Sequence, residues 1–314
     1  MFESLVQRIR DVKDFKNEQR ETQTYFKKSV EHELRGSDFF TYGVSVAKRI
    51  HKSDPKLARP LFSVPVDTTR FFEFDYARRM LKPFESSKAA FLDVSSPFLF
   101  SFWVAEHFAN SSVQMVNPDS KDLQAVKKRM TTAEIPRLKV EEATVKDLQK
   151  NPEASFDAVW SLSVVEHIYG EEIDDSSSLK IMWAQLKPGG LLILTVPTDK
   201  TFWEEYRSED TYGQIAQHGN EPVFFQRFYD EASIRNRLIE PLGVEPESIE
   251  WFGGKQVGVF HDMIEGRLSG KRALGPSHML DMATSYETFP TFDSMPGEGV
   301  CGLCFRKPSK EAAI

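Results

Sequence analysis

The stretch from residue 89 to residue 119 constrains the fold more than any other. Ala89-Ala90-Phe91-Leu92-Asp93-Val94 is a short apolar run that closes near a carboxylate. Ser95-Ser96-Pro97 follows, then a dense apolar stretch from Phe98 to Phe108, then a second short run, Val113-Gln114-Met115-Val116-Asn117, leading into Pro118-Asp119. The pattern predicts strand, tight turn, helix, strand. A crossover of this kind sets two parallel strands side by side with their polar tips at one sheet edge. Ligands of open α/β sheets bind at that carboxyl edge.

Bulk properties narrow the choice of partner. At 314 residues the chain has room for one large domain or two smaller ones. A net charge of −7 creates no field that would draw in nucleic acid. The densest basic cluster, Lys127-Lys128-Arg129, shares a predicted helix with Leu123, Val126 and Met130 on its buried side, so it reads as a solvated face. No apolar run approaches the roughly 18 residues of a membrane helix, and Met1-Phe2-Glu3-Ser4 does not open a signal peptide. Two cysteines make no disulfide scaffold, so a reduced, cytoplasmic protein is expected. A homo-oligomer is compatible with all of this.

Along the chain, Phe2, Leu5, Val6, Ile9 and Val12 recur at helical spacing and predict an amphipathic helix within residues 1–35. Residues 36–88 read as irregular, broken by Pro55, Pro60, Pro65 and Pro83. Within them, Thr68 to Tyr76 concentrates aromatics and charges. It is either a lid or substrate-contact segment or a packing segment stapled by an Arg70–Glu73 pair. Ser96 is placed to cap the first core helix, and Asp119 or Ser120 the second. Leu138 to Glu142 and Phe156 to Ser161 are further strands, Ser177 to Leu186 a helix, and Lys187-Pro188-Gly189-Gly190 a turn. Leu191 to Val196 is a central strand, apolar almost throughout, as expected where both faces are covered. Asp230 can cap a helix carrying Ile234 and Leu238. Ile249 to Phe252 and Val300 to Phe305 are the sixth and seventh strands, separated by a Gly- and Pro-rich insertion, 253–298.

Four of these segments, in this order and spacing, resemble class I S-adenosylmethionine-dependent methyltransferases. They are Phe91 to Pro97, the strand tip at Asn117, Phe156 to His167, and Leu186 to Pro197. The last two are the most specific: a Phe-Asp-led strand ending in Glu166-His167, then Lys-Pro-Gly-Gly and an apolar strand closed by Pro197. The resemblance covers about residues 89–252 plus the last strand. It implies a Rossmann-like, seven-stranded mixed α/β sheet with helices on both faces and its last strand antiparallel between strands five and six. Residues 1–88 and the insertion 253–298 would cap the ligand edge of a domain spanning 89–314.

The resemblance also implies S-adenosylmethionine as cofactor and a small-molecule acceptor. Asp93 matches the family's acid at the first strand end. Ser95 and Pro97 stand where the family has glycines, and a serine Cβ there resists positive φ. Asn117 stands where the family's ribose-binding acid is usual, with Asp119 two residues on. Asp93, Ser95, Ser96, Asn117, Asp119, Glu142, Ala143, Ser161, Leu162 and Ser163 are the implied cofactor contacts.

Methyl transfer needs the acceptor held near the methyl, water excluded and sometimes a proton removed. Glu166 and His167 fall at the ligand edge, and His167 is the expected base, with His218 a second candidate. The plainer explanation of Glu166-His167 is that the pair fixes the segment that follows. Trp203, Tyr206, Tyr212, Phe224, Phe225 and Tyr229 either stack on a substrate or form a satellite core. Cys301 and Cys304 point to opposite faces of a strand, and the histidines show no ligand spacing, so no metal is expected. Two functions follow: methylation of a small molecule at oxygen or nitrogen, or a non-catalytic binding or scaffold protein that keeps the fold without the cofactor. A nicotinamide oxidoreductase would need Gly-x-Gly-x-x-Gly at the first turn, which is missing.

Overall fold

A computed structural model describes residues 2–150, 154–170, 172–208, 210, 221–268 and 277–309. Its centre is a sheet of ten-strand numbering: β1 Ala90–Val94, β2 Ser112–Asn117, β3 Leu138–Glu142, β4 Phe156–Leu162, β5 Leu186–Thr198, β8 Ser248–Gly254, β9 Tyr286–Phe289 and β10 Gly299–Arg306. The spatial order is β3-β2-β1-β4-β5-β10-β8-β9. Strands β1 to β5 pair in parallel, and β10 runs antiparallel to both β5 and β8. The antiparallel last strand therefore lies between the fifth and sixth, as the resemblance implies. The order turns back at β1, which makes the edge between β1, β2 and β4 the topological switch point.

Side chains alternate across this sheet. Phe91, Met115, Trp160, Ile193 and Cys304 enter one apolar core; Leu92, Val116, Val159, Leu194 and Cys301 enter the other. The two buried cysteines thus sit on opposite faces, as their spacing requires. The first face is covered by α1 Phe2–Glu31, α2 Ser37–His51, α3 Pro55–Ser63, α4 Arg70–Leu81, α5 Phe98–His107 and α6 Ser120–Thr132, whose described apolar side chains share that core. On the second lie α7 Asp175–Ala184 and α8 Glu231–Ser233, the latter running on through Ile234–Ile239. Asp119 caps α6, and Asp230 caps α8 through a reciprocal bond with Ser233.

Several expectations change. The sheet has eight strands rather than seven, because part of the insertion, β9, adds to β8 at the edge. The insertion also holds α9 Val259–Leu268 and α10 His278–Ser285. Residues 36–88 are helical, not irregular: Pro55 takes the first position of α3, where no N–H is needed, and Asp54 caps that helix by accepting from Leu57 N at 3.0 Å. Ser96 does not cap α5; Pro97 occupies the cap position, and the Ser96 hydroxyl is used elsewhere. Lys187 to Gly190 belongs to β5 and continues its pairing toward β4 through a bulge. The helix before it, α7, is set by Asp174, whose side chain accepts from Ser177 N, so it begins at Asp175 and ends by Ala184.

α4 is buried on nearly every side, from Phe71 to Ala77. Such a helix shows no amphipathic stripe, which is why its periodicity is silent in the sequence. Tyr76 lies wholly buried against β10, where a Cβ on Gly302 would meet its ring at 2.8 Å. Asp75 and Glu250, tied by Arg35, Arg78 and Arg79, fasten the outer side of α4 to β8. The helix is thus locked over the sheet with its first turn at the switch point. Strands β6 Trp203–Arg207 and β7 Val223–Phe228 form a separate hairpin beside it, and Trp203 stacks on Phe228 with centroids 4.3 Å apart. Among the described residues no helix is long and apolar enough to cross a membrane.

Candidate active site

A cavity of about 590 Å3 opens at the switch point. Its floor is the turn after β1. Asp93 is wholly buried beneath that turn, accepting from Ser96 N at 2.9 Å and from the Ser101 hydroxyl. Burial pushes its carboxyl up to about 6, with the two serines opposing. Asp93 does not line the cavity: it acts on the turn, not on a ligand, because both its oxygens are taken by the chain segment folded over it.

Ser95 lines the cavity with φ at +57°. The left-handed conformation that a glycine would supply is therefore kept by a serine, at a cost of roughly 1–2 kcal/mol. Its N–H and its hydroxyl both donate to the Val116 carbonyl, at 2.9 and 3.1 Å, which offsets part of that cost. Ser163, at the end of β4, also lines the cavity and is also left-handed, with φ at +49°. Ser96 accepts from Leu162 N at 2.9 Å and so joins the two turns. Strained non-glycine residues on adjacent strand ends are a mark of functional sites. α5 begins here without a side-chain cap, and its first residue, Phe98, is part of the wall.

At the β2 tip, Asn117 lines the cavity, but its amide is committed. Oδ1 accepts from Asp119 N and Nδ2 donates to Asp122 Oδ2, both at 2.9 Å. Asp119 and Asp122 bring carboxylates to the same wall. Burial, then the neighbouring Asp119, raises the Asp122 carboxyl above its ordinary value. Beyond β3, Glu142 turns to the Ser120 hydroxyl and Ala143 packs toward the second core, so neither lines the cavity; Thr144, Val145 and Lys146 do. Ser161 and Leu162 are buried under the surface, Ser161 donating to the Val94 carbonyl at 3.3 Å. Glu142, Ala143, Ser161 and Leu162 thus lie outside the lining: Glu142 and Ser161 are engaged by their own hydrogen bonds, and Leu162 and Ala143 pack on the first and second cores.

The opposite wall is aromatic. Tyr169 and Phe224 stack with centroids 4.3 Å apart, and Phe225 meets the His167 ring at 4.8 Å. His167 lines the cavity, with Nδ1 2.6 Å from the Phe225 carbonyl. A carbonyl only accepts, so the proton sits on Nδ1 and Nε2 is the ring's acceptor nitrogen. Burial lowers the imidazole to about 4, with nearby Arg70, Arg207 and Arg227 acting in the same direction. Glu166 is buried behind it, with one oxygen 3.8 Å from His167 Nε2 and the other, Oε2, without a hydrogen bond among the described residues. Burial raises its carboxyl to about 8, so it is neutral at pH 7. Glu166 does not reach the cavity, and its expected catalytic place is corrected to a support behind the histidine. His218 and Tyr212 lie outside the described residues.

Arg70, at the start of α4, completes the lining and forms the expected pair with Glu73. No described residue of 253–298 reaches the cavity; within that insertion, His278 bonds the Val66 carbonyl at 3.0 Å instead. Asp122, Tyr169 and the 144–146 stretch carried no sequence signal, whereas Phe224 and Phe225 belonged to the aromatic run.

Residues 92–194 match the family model described as a methyltransferase domain. No curated protein sequence matches the chain. Similar solved structures include coclaurine N-methyltransferase bound to N-methylheliamine and SAH, 11% identical over 77% of this chain and 72% of that one, TM-score 0.47. Others are a putative sarcosine dimethylglycine methyltransferase from Galdieria sulphuraria (13% identical, 74% and 83% covered, TM-score 0.45) and geranyl diphosphate C-methyltransferase from Streptomyces coelicolor A3(2) (10%, 74% and 76%, TM-score 0.44). Residues 92–194 are thus similar to the methyltransferase-domain family, and the strand order around them is the one the resemblance implies.

Proposed function

We propose that this chain transfers a methyl group from S-adenosylmethionine to the oxygen or nitrogen of a small-molecule acceptor. The observation that carries the reading is the cavity at the switch point, walled by the left-handed Ser95 and Ser163 on one side and by Asp119 and Asp122 on another. Its volume of about 590 Å3 falls in the range of small-ligand sites. The residues fit the cofactor. The Ser95 turn keeps the backbone course that a glycine turn would give, Asp119 and Asp122 offer acceptors for ribose hydroxyls in place of the engaged Asn117, and Thr144 and Val145 flank the adenine end.

When bound, the cofactor supplies an electrophilic methyl on a sulfonium. The protein's own share is placement and proton handling. Tyr169, Phe224 and Phe225 hold an acceptor and keep water from it. His167 presents Nε2, neutral at physiological pH, to take the proton that an acceptor hydroxyl or amine loses. A small molecule suits this cavity better than nucleic acid, which the net charge of −7 disfavours. A reduced, cytoplasmic setting is compatible with buried, unbridged Cys301 and Cys304.

One observation favours the second reading, a non-catalytic relative: the Asn117 amide is spent within the protein. Equilibrium dialysis against methyl-labelled S-adenosylmethionine separates the two. Retention of the label, with release of S-adenosylhomocysteine on adding a mixture of phenols and amines, supports the enzyme. No retention at millimolar cofactor supports the non-catalytic relative.

A further inference from the structure

We propose that Arg70, held in place by the buried Glu73, is the carboxylate-binding residue of the cavity. The inference rests on the function proposed above, and Arg70 and Glu73 lie outside the matched segment 92–194.

Glu73 is wholly buried, yet it is served by four donors from three places in the chain. Oε1 accepts from the Thr69 hydroxyl at 2.9 Å and from the Ser163 hydroxyl at 3.1 Å. Oε2 accepts from the Thr195 hydroxyl at 3.1 Å and from Arg70 Nη1. One carboxylate thus ties the first turn of α4 to the left-handed residue after β4 and to β5. Glu73 is a positioning residue: it does not reach the cavity, but both Arg70 and Ser163, which do, bond to it.

Arg70 spends only Nη1 on the protein, on Glu73 and on the Leu162 carbonyl at 3.2 Å. Its Nε and Nη2 make no hydrogen bond among the described residues, although the side chain is three-quarters buried at 24% exposure. A planar guanidinium with one edge fixed and the other toward a cavity is suited to a carboxylate. Charge along the lining is mixed, with Lys146 beyond β3 and Asp210 after β6 also on the wall, but Arg70 and the two β2-end acids stand apart. Arg70 stands at the β4 end, beside Ser163; Asp119 and Asp122 stand at the β2 end. A ligand with a carboxylate at one end and hydroxyls at the other would span from Arg70 to Asp119 and Asp122. The carboxylate can come from the amino-acid end of the cofactor or from the acceptor.

The test uses the full chain and three probes: S-adenosylhomocysteine, 5′-methylthioadenosine, which lacks the amino-acid end, and benzoate added after saturating S-adenosylhomocysteine. Affinities are measured by calorimetry for the wild type, Arg70→Gln and Glu73→Gln. A loss of about tenfold or more for S-adenosylhomocysteine with no change for methylthioadenosine places the cofactor's carboxylate on Arg70. Unchanged nucleoside binding with loss of benzoate binding places the acceptor's carboxylate there. Equal effects on both nucleosides, or no effect on any probe, overturn the proposal. For the positioning role, the losses from Arg70→Gln and Glu73→Gln must be non-additive in the double variant; additive losses reduce Glu73 to a structural residue. Should Arg70→Gln fail to fold, Arg70→Lys keeps the charge without the fork and is read the same way. Wild-type protein that binds neither nucleoside would end the proposed function itself, and the carboxylate site with it.

Discussion

His167 Nδ1 lies 2.6 Å from the carbonyl oxygen of Phe225, so one hydrogen bond both pins β7 to the end of β4 and fixes the tautomer of the imidazole. The structural and catalytic readings of this histidine are therefore not exclusive. Because burial lowers its pKa to about 4, the ring stays neutral where an ordinary histidine would charge. For a base that works neutral, kcat/KM is expected to be flat between about pH 5 and 7, with no inflection near 6.5. His167→Gln should lower kcat by about a hundredfold or more. A clear inflection near 6.5, or an unchanged kcat in the variant, would remove His167 from the proton path.

Glu166 behaves oppositely. Its folded pKa, about 8, lies above the ordinary 4.5, because burial penalises the charged form. The folded state then holds a proton that the unfolded state releases, so the group's contribution is best below the ordinary value and declines as pH rises from about 4.5 toward 8. Glu166→Gln keeps the shape and cannot ionise. Its melting temperature relative to wild type should rise steadily between those two pH values. A difference that stays constant with pH would show that Glu166 is charged in the folded protein.

At Ser95 the backbone itself is the variable. Ser95→Gly removes the left-handed strain and also the hydroxyl bond to Val116, so stability should stay within about 1 kcal/mol of wild type. Ser95→Val sets a branched side chain in the same conformation and should cost about 2 kcal/mol or more, with loss of nucleoside binding. Denaturant melts of both variants decide it, and a valine variant as stable as wild type would mean that the turn is not held left-handed.

Gly302 tests how α4 reaches the site. Its Cβ would press into the buried Tyr76 ring at 2.8 Å. Gly302→Ala should destabilise by about 1–3 kcal/mol and, by lifting α4, weaken nucleoside binding as well. A variant that lost stability but kept full affinity would show that the placement of Arg70 does not depend on that contact.

The parts of the fold written in short apolar runs were legible: Phe91 to Val94, Val113 to Asn117 and Leu191 to Val196 are strands where their patterns place them, with β5 extending further. α4 was not, because residues such as Phe71, Phe74 and Tyr76 bury it on all sides and leave no stripe to read. At the site, the family resemblance pointed to Ser95, Ser96, Asn117, Asp119, Ser163 and His167, all of which line the cavity. It could not tell that Asp93, Ser161 and Leu162 point beneath it, since a strand's tip residue shows its type in sequence but not the face it takes once the following turn folds back. Asp122 was missed because it sits in the first turn of α6, where its sequence reads as an ordinary helix-start acid; there Asn117 bonds it and it lines the cavity.

The account stands most directly on a thermal melt of the wild-type protein with S-adenosylhomocysteine. A ligand present at a hundred times its Kd stabilises the folded state by about 2.7 kcal/mol. At about 2–4 °C per kcal/mol for a domain of this size class, the melting temperature should rise by several degrees, and rise again with each increase in ligand. No shift at millimolar ligand, in a sample that melts cooperatively, would contradict the claim that the Ser95 turn and the Asp119–Asp122 wall form a cofactor site.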